Sequence, residues 1–433
     1  MSASVHDDVA ARIAALRVGE PPAPDVSLAA SNVVILGSSS RGGSSIFAEI
    51  LRRSPRLLHF RGETNPMFRL CGLHGESDAL EHEPVPEGLG RALGWECGQP
   101  TRQLEGDAAN WRFAIDLTVR LTLQWPSLGF GIERVHQAVR EVLVALRQEE
   151  GWPEGVFVEA QAFHARLLGV LRRSWPEIHP GGYDIDRGLL LARCPGPWPD
   201  PFLPELLVEE PPFVLITPWR VATEEQLATM PLVVKTPSNA YRMDWLRRFF
   251  GKATVRTLHL LRSVAASVNG LYDGWRYPGF HSHRMAVPLQ IAGYTECMPG
   301  GDAWWKFDRP PGWEEYAHAR LEDVCAFQWR SAHEALLRTA GPDAFRMRFE
   351  DVLGERSRQQ RSMEALGGWL DLPLLDELGP VLAGALPVVM ATAQPRARRW
   401  FSRIELLTPI LADPRHRELM EALGYDADPH TWG

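Results

Sequence analysis

The first strong pattern in the chain is a short apolar run, a loop of small residues and then apolar residues at helical spacing. Residues 31–37 predict a buried strand, and residues 38–45 predict a loop of serines and glycines. Apolar side chains then recur at the spacing of a helix over residues 46–51, which Ser54 and Pro55 end. Residues 57–60 predict a second strand, so we expect a βαβ unit and a parallel sheet covered by helices.

The same alternation of strand and helix returns later in the chain. Strands are predicted over residues 231–235, 255–261 and 345–349, and helices begin at Asn239 and Ser263 and span residues 356–370. Further helices are predicted over residues 1–20, 133–148 and 157–173. Residues 176–218 are rich in proline and glycine and residues 276–330 are rich in aromatic side chains, and both stretches predict loops.

Composition and charge exclude several classes of protein. The 433 residues carry 46 basic and 54 acidic side chains, a net charge of −8, which argues against a general nucleic-acid binder but leaves a local basic pocket open. The chain has no apolar run of the length of a membrane span, and the polar N-terminus is unlike a secretory signal. Five widely spaced cysteines without a CxxC pair predict neither a disulfide framework nor a cysteine zinc site. We therefore expect a cytoplasmic enzyme that binds no membrane and no nucleic acid.

The loop after the first strand has the composition of a phosphate-binding loop. Glycines allow a close approach of the backbone, and the N–H groups at the start of the following helix favour an anion. Its spacing resembles the P-loop G-x4-G-K-[ST], but Gly43 occupies the lysine position and Arg41 lies two residues earlier. The strand over residues 255–261 ends in Arg262 and not in an acid that could hold Mg²⁺. These differences favour a single terminal phosphate without magnesium.

The loop and five later motifs together resemble the sulfotransferases that use 3′-phosphoadenosine 5′-phosphosulfate (PAPS). In that family an R-S-G-T-T loop holds the 5′-phosphosulfate, and the matching residues here are Arg41, Gly42, Gly43, Ser44 and Ser45, preceded by Ser40. Glu63 stands where the tyrosylprotein and several carbohydrate sulfotransferases have their catalytic base. Lys235, in K-T-P, resembles the lysine that contacts the leaving oxygen. Arg348-Phe-Glu-Asp351 resembles a core R-Y-E-D element.

The resemblance also implies where the nucleotide is held. Arg262, at a strand end before a helix, resembles the arginine that binds the 3′-phosphate. The usual serine eight residues later is Gly270 here, so Ser267 is the nearest candidate. A basic stretch over residues 395–400 corresponds to a loop over the nucleotide and offers Arg396, Arg398 and Arg399.

The resemblance implies an α/β fold with a P-loop NTPase-like parallel sheet flanked by helices and a large, mostly helical and aromatic insertion. We expect an N-terminal extension over residues 1–30 and one domain over residues 31–433, with insertions at about 70–230, as a cap over the acceptor, and at 276–342. The activity implied is transfer of a sulfuryl group from PAPS, without a metal, to a hydroxyl of a small-molecule or carbohydrate acceptor, with an amine as second choice. Trp304 and Trp305 are candidates for the acceptor pocket.

Two other functions remain open from the sequence. The first is a nucleotide-dependent kinase with a degenerate P-loop, which would use Glu350 and Asp351 to hold Mg²⁺. The second is a binding module that keeps the sulfotransferase fold without catalysis. The sequence predicts neither the identity of the acceptor nor the oligomeric state.

Overall fold

Seven strands form one twisted sheet in the computed structural model, which describes residues 2–198 and 207–432. Within these residues the sheet has the order β4-β3-β2-β5-β1-β6-β9, and β7 pairs with β8 in a separate ribbon. The strands are β1 (Asn32–Gly37), β2 (Leu58–Phe60), β3 (Cys97–Pro100), β4 (Trp219–Val221), β5 (Leu232–Lys235), β6 (Thr254–Leu261), β7 (His281–Arg284), β8 (Trp304–Lys306) and β9 (Phe345–Arg348).

Five of the seven strands are parallel, and β1 lies at their centre. It pairs with β5 on one side, through Leu36 opposite Lys235, and with β6 on the other, through Gly37 opposite His259. The connection after β1 runs to β2 on one side of β1, whereas the connection after β5 crosses to β6 on the other side. Because these two connections run in opposite directions, a crevice opens beyond the carboxyl ends of β1 and β5, which is where ligands bind in open α/β sheets.

Helices cover both faces of the sheet. The 18 α-helices in the described residues are α1 (Ser2–Leu16), α2 (Val26–Ala29), α3 (Ser44–Leu51), α4 (Asn65–Leu70), α5 (Leu89–Glu96), α6 (Gly106–Gln124), α7 (Ile132–Glu150), α8 (Ala160–Leu171), α9 (Arg187–Arg193), α10 (Glu224–Thr229), α11 (Met243–Phe249), α12 (Val264–Trp275), α13 (Leu321–Thr339), α14 (Phe349–Leu353), α15 (Arg356–Leu370), α16 (Leu374–Ala383), α17 (Ile404–Ala412) and α18 (Pro414–Ala422). None of the described helices is both long and apolar enough to cross a membrane.

Alternate residues of the central strands supply two separate cores. Val33 and Ile35 of β1 pack in one core with residues of α11 and α13, whereas Val34 and Leu36 pack in the other with α3, α15 and α16. Both faces of the strand are therefore apolar, as expected for a parallel strand between two helical layers. The predicted α/β class with a parallel sheet flanked by helices is confirmed.

The long segment between β2 and β5 does more than cover the sheet. Its strands β3 and β4 extend the sheet antiparallel from the β2 edge. Helices α6, α7 and α8 pack on each other around a core of their own.

Loops make up most of the two stretches predicted to be loop-like, but each also contains regular elements that the sequence did not indicate. Residues 176–218 contain α9, which Asp186 caps by accepting the Leu189 N–H. Residues 276–330 contain β7, β8 and the start of α13. Trp304 and Trp305 lie on β8, are 4% and 0% exposed and belong to apolar cores, so they do not line an acceptor pocket. Burial of the large tryptophan rings stabilises this ribbon, although the alternation of polar and apolar residues around them is too weak to predict a strand.

Candidate active site

A cleft of about 990 Å³ opens at the carboxyl ends of the central strands. Its floor is the loop that follows β1. Its walls come from the segment after β2, the end of β5, Arg262 after β6, residues 209–217 of the long insertion and residues 387–390 near the C-terminus. The topology that predicts a crevice beside β1 thus leads to a large cavity at that place.

The loop between β1 and α3 is built to receive an anion. The hydroxyls of Ser38, Ser39 and Ser40 are buried and have no hydrogen-bond partner in the described part of the chain. Gly43 caps α3 in the left-handed region, with φ of 93°, and contributes no side-chain cap to the helix. The N–H groups of the first turn of α3 therefore lack partners within the helix and face the loop with positive potential.

Gly43 is constrained both by its positive φ and by the nearby ring of Phe349, and Gly43→Ala tests these two constraints. A Cβ there would lie 2.5 Å from the ring of Phe349, in addition to adopting a positive φ. We predict a loss of about 2 kcal/mol or more in the free energy of unfolding, measured by denaturant titration. Gly72→Ala is the matched control, because Gly72 has φ of 83° but open space around its Cβ position. Equal losses in the two variants would contradict the predicted clash.

Lys235 joins the base candidate to the loop. Its Nζ donates to Glu63 Oε1 at 2.5 Å and to Ser45 Oγ at 3.0 Å. Lys235 ends β5, Glu63 follows the neighbouring β2, and Ser45 lies in the first turn of α3. An ammonium group has three donors, so one N–H remains for a ligand in the cleft. The three residues, from distant parts of the chain, form one charged contact at the edge of the sheet.

Two buried threonines hold this contact in register. Thr236 Oγ1 accepts from the Thr64 N–H at 3.2 Å and donates to the Lys235 carbonyl at 2.7 Å. Thr64 directly follows Glu63, and Thr236 directly follows Lys235, so the pair ties the backbones of the two charged residues together. Neither threonine belongs to a recognisable sequence motif, and the two lie 172 residues apart in the chain.

Two arginines flank the loop. Arg262 Nη1 donates to the Arg41 carbonyl at 2.7 Å, and burial lowers the pKa of Arg262. The guanidinium of Arg41 donates to the Met390 carbonyl at 2.7 Å and to Thr392 Oγ1 at 3.3 Å. Burial and the nearby charges of Arg262 and Arg399 lower the pKa of Arg41 to about 10. Because a guanidinium group is not deprotonated in proteins, both arginines add positive charge beside the loop.

The structure brings together most, but not all, of the predicted site residues. The cleft is lined by Ser40, Arg41, Gly43, Ser44, Ser45, Glu63, Lys235 and Arg262. Gly42 donates its N–H to the Ser39 carbonyl at 3.0 Å, which closes a turn in the loop, but Gly42 does not line the cleft.

Four predicted nucleotide contacts lie away from the cleft lining. Ser267 is fully buried on α12, with no hydrogen-bond partner for its Oγ in the described residues. Arg399 pairs with Asp273 at 2.5 Å, and Arg396 and Arg398 precede it in the chain. Their roles stay predictions.

Several acidic residues that line the cleft have no part in the sequence-based predictions, and three of them lie in its walls at Glu210, Asp184 and Asp308. Glu210 accepts from Arg69 at 2.6 Å and from Ser282 at 2.7 Å, and burial raises its pKa. Asp184 accepts the Met390 N–H at 2.7 Å, and Asp308 lies beside Ser40. None of the three belongs to a recognisable motif. The one signal that could have been used is the acidic pair Glu209-Glu210 before two prolines in an otherwise apolar stretch.

Comparison with known proteins adds solved structures but no sequence relatives. No family model and no curated protein matches the chain. A sulfotransferase domain from the curacin biosynthetic pathway aligns with a TM-score of 0.37 and 12% identity, covering 92% of this chain and 99% of that one. The sulfotransferase domain from the Synechococcus PCC 7002 olefin synthase gives the same TM-score, 0.37, and 12% identity, over 92% of this chain and 96% of that one.

A third structure, the sulfotransferase STF9 from Mycobacterium avium, also has a TM-score of 0.37, with 15% identity over 98% of this chain and 84% of that one. At such low scores the likeness carries no weight for function. The residues of the cleft must therefore support any functional conclusion by themselves.

Proposed function

We propose that this protein transfers a sulfuryl group from PAPS to a hydroxyl of a small-molecule or carbohydrate acceptor. The observation that carries the proposal is the contact of Lys235 with both Glu63 and Ser45. A carboxylate that can take a proton, a compact cation and an anion-binding loop meet at one point of one cleft. These are the three groups that in-line transfer to a hydroxyl needs.

The loop residues fit a phosphosulfate. Buried hydroxyls without partners at Ser38 and Ser39 are costly unless a ligand satisfies them, and the first turn of α3 offers N–H donors. The loop and α3 would hold the 5′ end of the nucleotide, and Arg262, on the far side of Arg41, would hold its 3′-phosphate. Arginine suits this task because its planar guanidinium can contact two phosphate oxygens.

Glu63 and Lys235 divide the chemistry between them. When bound, PAPS supplies a sulfur centre whose bond to the 5′-phosphate oxygen breaks as the bond to the acceptor oxygen forms. Glu63 takes the proton of the acceptor hydroxyl. Lys235 directs its third N–H to the oxygen on which negative charge develops, while its other two donors keep Glu63 and Ser45 in place.

The acidic pair that a kinase would use to hold Mg²⁺ lies outside the cleft. Glu350 accepts the Ser263 N–H at 2.9 Å and the Tyr425 hydroxyl at 2.9 Å, and neither Glu350 nor Asp351 lines the cleft. The alternative of a non-catalytic module is decided by turnover. We would measure the release of 3′-phosphoadenosine 5′-phosphate (PAP) from PAPS over a broad panel of hydroxyl acceptors; no release above the rate without enzyme would favour the module.

The donor site is tested first by calorimetric and thermal-shift titration with PAP, the nucleotide product, with ATP–Mg²⁺ and ADP as controls. A ligand at 100 times its Kd stabilises the fold by about 2.7 kcal/mol, which is readily measured. We expect selective binding of PAP. Preference for ATP–Mg²⁺ would favour the kinase, and binding of no nucleotide would contradict the proposed donor.

Arg262→Ala should weaken PAP binding by about tenfold or more and change kcat much less, because a 3′-phosphate contact is made equally before and during the reaction. The matched control is Arg256→Ala on β6, the strand that Arg262 follows, since Arg256 donates to the Trp369 carbonyl at 2.7 Å and does not line the cleft. An unchanged Kd for PAP in Arg262→Ala would remove Arg262 from the donor site.

A further inference from the structure

A buried carboxyl group lies in the wall of the cleft beside the anion-binding loop. Asp308 is only 3% exposed, yet it lines the cleft together with Ser40 of the loop. Its Oδ2 accepts the Tyr241 hydroxyl at 2.7 Å, and its Oδ1 has no hydrogen-bond partner in the described residues. A carboxylate is an unexpected neighbour for a loop whose other features favour negative ligands.

Asp308 is held firmly in this place. Its carbonyl accepts the Trp305 indole N–H at 2.9 Å and the Gln328 side-chain amide at 2.7 Å. The backbone therefore cannot easily turn the carboxyl group away from the loop. Whatever binds in the loop must accommodate Asp308 where it is.

Within the described chain Asp308 forms no ion pair with a cation. The groups that face it are the hydroxyls of Ser40 and Tyr241 and a second acid, Asp78. Asp78 has its own partners, Arg242 at 2.9 Å and His283 at 3.6 Å. Burial outweighs the two hydroxyls and, with Asp78 adding to it, raises the pKa of Asp308 to about 6.

An anion bound in the loop would raise the pKa of Asp308, as burial does. A second negative charge close to a buried carboxylate disfavours the ionised form further, because little water screens the two charges. Once protonated, the same group becomes an O–H donor that an anion can accept from. A buried carboxylic acid that is kept neutral so that it can donate is a documented arrangement in enzymes.

We propose that Asp308 binds the donor nucleotide as a neutral acid, so that nucleotide binding takes up one proton from solvent at this residue. The inference rests on the proposed function, since it assigns a role at the same donor site. Its consequence follows from linkage. At a pH below the pKa of Asp308 in the unliganded protein, the carboxyl group already carries its proton, and nucleotide affinity does not depend on this residue's titration. At a pH above that pKa, each further pH unit weakens nucleotide binding by up to tenfold.

The test is calorimetric titration of PAP between pH 5.5 and pH 8, on the full chain and on Asp308→Asn. The phosphates of PAP also titrate near pH 6, so the informative quantity is the ratio of the two Kd values at each pH. We expect a nearly constant ratio below pH 6. At pH 7.5 the Asn variant should bind about tenfold or more tightly than the native chain, because the amide is always neutral and still donates. Titrations in buffers of different ionisation enthalpy should show proton uptake by the native chain that the Asn variant lacks.

A second variant tests the inference even if Asp308→Asn does not fold. Tyr241→Phe removes a hydroxyl that favours the charged form of Asp308, so PAP binding by this variant should begin to weaken at a higher pH than binding by the native chain. A Kd ratio that is constant with pH, or equal proton uptake in the native chain and Asp308→Asn, would overturn the inference while leaving the sulfotransferase proposal standing. Failure of the native chain to bind PAP at any pH would overturn both.

Discussion

Replacing Glu63 by glutamine should lower kcat by about 100-fold or more and leave the Kd for PAP nearly unchanged. Glutamine keeps the size of the side chain and can still accept from Lys235, but its amide cannot take a proton from an acceptor hydroxyl. The loss expected is that of a general base, whose contribution is about 10² to 10⁴ in rate. The rate is followed as PAP released from PAPS, with a hydroxyl acceptor found by panel screening.

The matched control for this experiment is Glu377→Gln. Glu377 also forms an ion pair, because its Oε1 accepts from Arg56 Nε at 2.8 Å, but it lies on α16 and does not line the cleft. We expect nearly native turnover in that variant and the same melting temperature in both. Nearly native turnover in Glu63→Gln would exclude Glu63 as the base, and loss of PAP binding would show that its role is structural.

The parts of the fold that the sequence predicts well are those with a strong local pattern. Residues 31–37 hold an apolar run that ends at Gly37 and form β1, and the predicted strand over residues 255–261 lies within β6. The helix over residues 356–370 is observed with those bounds. Their patterns are local, because a parallel strand is buried on both faces whatever its neighbours are. The anion-binding loop was found for the same reason, since its small residues follow the strand directly.

The parts that the sequence did not predict depend on contacts across the chain. Residues 97–100 contain a glycine and a proline and alternate weakly, yet they become β3 because β2 and β4 supply partners on both sides. Asp308 follows two buried tryptophans, and nothing local indicates that a loop 268 positions earlier in the chain lies against it. Glu63 and Lys235 were singled out separately, whereas their direct contact is visible only once β2 and β5 are neighbours.

Replacing Lys235 by methionine should lower kcat by about 10² to 10³ while the chain still binds PAP. Methionine keeps an unbranched apolar stem but removes the charge that would meet the developing negative oxygen, a loss comparable to removing one preorganised donor from an oxyanion site. Lys235→Arg should recover only part of the rate, because a planar guanidinium cannot direct separate donors to Glu63, to Ser45 and to a third oxygen as an ammonium does.

The control is Lys252→Met, which changes one of the two other lysines at an exposed turn after α11 and should leave turnover unchanged. The double variant Glu63→Gln with Lys235→Met tests whether the two residues act as one unit. If they do, its kcat should be close to that of the slower single variant, since effects of residues that share one contact do not add. Multiplied losses would mean that Glu63 and Lys235 act independently, and full activity of Lys235→Arg would mean that only charge, and not the geometry of the ammonium group, is required.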